Sequence, residues 1–105
     1  MLKQAKDNQK MIKCHSLEEV RSHINNIDEQ MVKLIASRGE LVKQAARFKH
    51  DSDAVKAPTR VEEVIKKVKN SARLNGANEE VVESIYRAMI DGFIKVEMAE
   101  FSNKK

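Results

Sequence analysis

The chain has 105 residues and a mass of 12.0 kDa, one domain's worth of protein. That length excludes two independent cores and any fold that needs about 200 residues, such as a (β/α) barrel. Apolar residues make up 41% and charged residues 34%, too apolar for a disordered tail and too charged for a membrane protein. Apolar runs stop at three residues, far below the ~20 of a spanning helix. The first ten residues, MLKQAKDNQK, are polar and hold no secretory core. The one cysteine, Cys14, has no partner for an internal disulfide, so the expected compartment is the cytosol.

The net charge is +4, and +3 of it falls in residues 1–13, where Lys3, Lys6, Lys10 and Lys13 face only Asp7. The rest of the chain is nearly neutral. A nucleic-acid surface needs a basic face with interleaved aromatics, and the sequence has four aromatics in all, which argues against one.

Residues 1–15 show neither period nor cap and are expected to form an N-terminal tail or extension to a domain at 16–105. Ser16-Leu17-Glu18-Glu19 reads as a capping box that opens a helix. An apolar seam follows at Val20, Ile24, Ile27, Met31 and Leu34, then at Leu41, Ala45 and Phe48. Its steps of three and four are a heptad, which predicts one helix from Ser16 to Lys49. His50 to Ala57 has no period and is expected to be a loop, mobile without ligand and ordering over a site. Pro58 opens a second helix with a stripe at Val61, Val64, Ile65, Val68 and Ala72. Gly76 ends it in the left-handed conformation. Asn78-Glu79-Glu80 starts a third, whose stripe is Val82, Ile85, Tyr86, Met89, Ile90, Phe93, Ile94 and Phe101. Few glycines and one proline fit an all-α chain of three helices.

A first helix of 34 residues is about 50 Å long, against a radius of gyration of ~13 Å for a compact domain of this size. Two shorter helices cannot cover such a seam. A second copy of the chain is the simplest cover, so the expected assembly is an intertwined helical homodimer.

Arg38 occupies the vacancy in the heptad, and Arg21 and Lys49 lie along the edge of the same face. Buried cations are costly unless paired. Arg21 could pair with Asp28 or with an acid of the partner, and Lys49 could snorkel to water. No acid lies three or four residues from Arg38. An anion could neutralise such cations instead, since the guanidinium fork takes a carboxylate in two parallel hydrogen bonds. Arg21 and Arg38 are 17 residues apart, about 25 Å along a helix, so one small molecule cannot touch both in one chain. An antiparallel dimer would bring Arg21 of one subunit to Arg38 and Lys49 of the other. Glu97 interrupts the row Ile90, Phe93, Phe101, and is either exposed at a helix end or turned into the same pocket. Gly92 beside it either leaves room for a ligand or allows close helix packing, the latter being the simpler account.

The pattern Arg21-x-x-Ile24-x-x-Ile27-Asp28, Leu34-Ile35-x-x-Arg38, Ala45-Ala46-x-Phe48-Lys49, with Arg60 opening the second helix, resembles the all-helical AroQ-class chorismate mutase family. The resemblance runs from Ser16 to Phe101. It implies an intertwined dimer that rearranges chorismate to prephenate, in aromatic amino-acid biosynthesis, without cofactor or metal. It implies that Arg38 holds one substrate carboxylate and the partner subunit's Arg21 the other. Lys49 would donate to the ether oxygen of the breaking bond, Arg60 would meet the hydroxyl or a carboxylate, and Phe93 would line the substrate. Glu97 falls where the family has glutamine or glutamate, and must be protonated to donate to the same oxygen; the competing reading is an acid that points to solvent or pairs with a cation as an ionised structural group.

Two positions depart from the mutase pattern. Many members carry an acid after the arginine that opens the second helix, where this chain has Val61, and Asp three residues before it, where this chain has Ala57. Ala57-Pro58-Thr59-Arg60-Val61, with Arg47-Phe48-Lys49 and Cys14, is more similar to the family's isochorismate pyruvate-lyase branch, which forms salicylate and pyruvate. A non-catalytic helical dimerisation module is the alternative of a different class. His15, His23 and His50 have no metal-ligand spacing with Cys14 or one another, so no metal is expected, and there is no glycine-rich phosphate loop.

Overall fold

The computed structural model describes residues 12–103, and all regular structure among them is helical. Four helices follow in order: α1 (Leu17–Ala46), α2 (Ser52–Lys56), α3 (Pro58–Leu74) and α4 (Glu79–Asn103). The expected tail at 1–15 lies mostly outside the described residues.

The caps explain the boundaries. Ser16 Oγ accepts the Glu19 N–H at 3.0 Å, as a capping box requires. The Glu19 carboxylate reaches one residue further back than expected and accepts the His15 N–H at 2.6 Å. α1 stops at Ala46, three residues short of the expected Lys49. There the N–H groups of Arg47, Phe48 and Lys49 donate to the carbonyls of Gln44, Ala45 and Ala46. These i→i−3 bonds tighten the chain into a 3₁₀-like turn.

The segment expected as a loop is partly a helix. Asp51 accepts the Ala54 N–H at 2.8 Å and caps α2, which buries Val55 to 2% exposure. Five residues are too few to show a period, so only the cap could have betrayed it. α2 and α3 share one junction residue, Ala57, with φ 34° and ψ 65°. A left-handed alanine costs about 1–2 kcal/mol, and the following Pro58 confines it further. α3 ends as anticipated. Gly76 has φ 73°, the Ala77 N–H donates to Ala72 O at 2.8 Å and the Gly76 N–H to Arg73 O at 3.4 Å, a Schellman motif. Asn78 Oδ1 then caps α4 through the Val81 N–H at 3.0 Å.

The chain divides into two compact units, Met1–Leu41 and Val42–Lys105. The second unit holds the core: Ala46, Val55, Ile65, Ala72, Ile90 and Phe101 are buried, and α4 packs on both α2 and α3. Arg87 joins α4 to α3 through a fork on Glu62 at 2.9 and 3.0 Å. In the first unit no described residue is buried. The apolar seam of α1 is present but uncovered in this chain, with Leu17, Leu34 and Leu41 62–69% exposed. Burying a side chain of this kind contributes about 1.5–3 kcal/mol, a gain the described chain leaves unrealised along α1.

Candidate active site

Lys49 and Glu97 are 48 residues apart in sequence and meet in space. Lys49 Nζ donates to Glu97 Oε2 at 2.5 Å. The turn after α1 presents Lys49, and the face of α4 that packs inward presents Glu97. Glu97 is 6% exposed, so the reading that puts it in solvent at a helix end is overturned. Lys49 does not snorkel to water but turns onto this carboxylate. Removing one partner of such a pair would strand a desolvated charge, at roughly 3–5 kcal/mol for fully buried pairs. Lys49 keeps part of its donor capacity, because an ammonium has three N–H groups. A fixed ammonium in a largely dry place stabilises negative charge that develops on a nearby oxygen.

The other expected residues stand as follows. Phe93 lies one turn before Glu97 on the same face of α4 and is half-buried. Arg38 is half-buried on α1. Arg21 is exposed, and neither Asp28 nor any other described residue forms an ion pair with it. Arg60 is exposed in the first turn of α3, 3.6 Å from Glu63, and lines an open depression on the outer side of that helix. A Cβ at Gly92 would meet nothing within 4 Å, so close helix packing inside this chain does not account for that glycine.

A second ion pair flanks the first and was not expected. Arg47 Nε lies 3.8 Å from Glu100 Oε2. Its only signal in the sequence is spacing, with Glu97 and Glu100 three apart and Arg47 and Lys49 two apart. Among the described residues no group of three or more His, Cys, Asp or Glu could hold a metal ion. No described helix is long and apolar enough to cross a membrane.

An all-helical chain with a lysine fixed against a buried carboxylate fits the resemblance drawn from the sequence, and comparison with known proteins agrees. Residues 20–98 match the family described as chorismate mutase type II, a span containing Arg21, Arg38, Lys49, Arg60, Phe93 and Glu97. The isochorismate pyruvate lyase of Pseudomonas aeruginosa is 32% identical over 81 residues, which are 77% of this chain and 80% of that protein. The chain belongs to the chorismate mutase type II family.

Proposed function

We propose that the chain rearranges chorismate to prephenate, at sites shared between two copies. The observation that carries this reading is Lys49 held against buried Glu97 in a chain of this family. The reaction is unimolecular: an ether C–O bond breaks while a C–C bond forms in the same molecule. It needs no nucleophile and no general base. Rate comes from holding the reactive conformer and stabilising charge on the ether oxygen. Lys49 donates to that oxygen. Arg38 and the partner subunit's Arg21 each take one carboxylate, Arg60 meets the hydroxyl or a carboxylate, and Phe93 forms a wall. The ion pair supports Glu97 as the group that aims Lys49, whereas a Glu97 that donates to the ether oxygen must carry a proton. The Glu97→Gln variant separates the two roles by its kcat at neutral pH: a donor to the ether oxygen is replaced by the amide with activity kept or raised, whereas a carboxylate that aims Lys49 is not, and kcat falls.

The uncovered seam of α1 supports a second copy as its occupant. Arg21 and Arg38 share α1, about 25 Å apart, so two carboxylates of one small substrate need an arginine from each chain. The single cysteine supports a reducing compartment, the cytosol.

A second reading is elimination of pyruvate from isochorismate to give salicylate. The name of the Pseudomonas aeruginosa relative favours it, as do Ala57 and Val61 flanking Pro58-Thr59-Arg60. Incubation with chorismate and, separately, isochorismate decides. Prephenate from chorismate is the expected result. Salicylate and pyruvate from isochorismate, with no prephenate, would establish the second reading. No product from either would leave a dimerisation module.

A further inference from the structure

The turn that carries Lys49 is tied to α4 twice, by two ion pairs that run side by side. Three successive backbone bonds wind Arg47, Phe48 and Lys49 onto the end of α1, at 3.1, 3.0 and 3.3 Å. Those bonds set the shape of the turn and do not seat it on α4. The side chains do so, Lys49 on Glu97 and Arg47 on Glu100. Glu97 and Glu100 are one turn apart on one face of α4, so the pairs are neighbours. Phe48 stands between the two cations in sequence and is 82% exposed, so it does not hold the turn.

The two pairs differ in what a substrate would do to them. If Lys49 donates to a substrate oxygen, some of its bonding leaves Glu97 at that moment. The turn then loses part of one tie when its placement matters most. Arg47 and Glu100 take no part in that exchange. We infer that Glu100 is a positioning residue: it holds Arg47, and so keeps the turn seated on α4 while Lys49 shares its protons between Glu97 and the substrate. The inference rests on the role proposed for Lys49. Arg47 and Glu100 side chains are 59% and 29% exposed, so the pair adds little to global stability and its effect is on the placement of the turn.

The test compares wild type with Glu100→Ala, Arg47→Ala, Glu100→Asp and the exchange Arg47→Glu/Glu100→Arg. Three readouts are needed: thermal unfolding, hydrogen exchange at the amides of Arg47, Phe48 and Lys49, and kinetics with chorismate and isochorismate. Each alanine variant should keep its Tm within a few degrees, exchange these amides faster and lose about five-fold in kcat/KM, close to 1 kcal/mol. Glu100→Asp should recover part of the loss and the exchange variant most of it. High salt should narrow the gap in amide exchange between the wild type and the alanine variants. Unaltered amide exchange in Glu100→Ala, or an exchange variant no better than the single ones, would overturn the inference. A wild type inactive on both substrates would instead fail the reading of Lys49, and amide exchange in the same variants would still decide whether Glu100 seats the turn.

Discussion

The first 25 residues of α1 and the pair α3–α4 are built on the same rule and end differently. Each carries an apolar stripe at helical spacing. α3 and α4 bury theirs within the second unit, around Ile65, Ala72 and Ile90, and fasten the edges with Arg87, Glu62, Glu83 and Lys69. α1 leaves its stripe open from Leu17 to Leu41. A contiguous exposed apolar row on a helix of 30 residues supports the proposal that a second copy covers it. One stretch of the sequence therefore buries its stripe within the chain, and another leaves its stripe open.

Substitutions in the two regions should fail in different ways. Ile27→Glu places a carboxylate in the middle of the open stripe. It should weaken dimerisation by 10³-fold or more, roughly 4 kcal/mol, and abolish activity, since an unpaired charge cannot be buried cheaply. Sedimentation equilibrium with circular dichroism checks this, because α3 and α4 should stay helical in the monomer. Lys49→Ala should lower kcat by about 10²–10³ with a smaller change in KM, measured by steady-state kinetics. An unchanged kcat with a raised KM would make Lys49 a ground-state binder.

The α3–α4 seam can be probed with acid. Hydrogen bonds from Arg87 hold the Glu62 and Glu83 carboxyls below the usual range, Lys69 also lowers that of Glu83, and Arg73 does the same for Glu79. The same partners push the Arg87 pKa up. Carboxyls lowered by folding contribute stability above their ordinary pKa of about 4.3, and the contribution fades as pH falls through the lowered folded values. Arg87→Gln should therefore lower Tm modestly at pH 7 and hardly at all near pH 3, in melts across that range. The smallest effect is Gly92→Ala. With open space around its Cβ, it should stabilise α4 by about 1 kcal/mol through helix propensity, read from denaturant unfolding.

Much of the helical division is legible in the sequence. Ser16, Pro58, Gly76 and Asn78 are terminal signals whose effect is local, and the helices start and stop at them. α2 was hidden because five residues around Val55 make no pattern. The early end of α1 was hidden because Ala45 and Phe48 continue the heptad into a turn that only the backbone bonds reveal. Lys49 and Glu97 were suspected through a family resemblance. The resemblance put both on one substrate oxygen and so near each other, whereas no spacing rule joins residues 48 apart.

The central claim is that the open stripe of α1 brings two chains together to complete each site. Its most direct test mixes an Arg21→Ala chain with an Arg38→Ala chain, each inactive alone. Random exchange would make half the dimers mixed, each with one site lacking both arginines and one intact, so activity should return to about a quarter of wild type. Demonstrated subunit exchange with no return of activity would contradict the shared site.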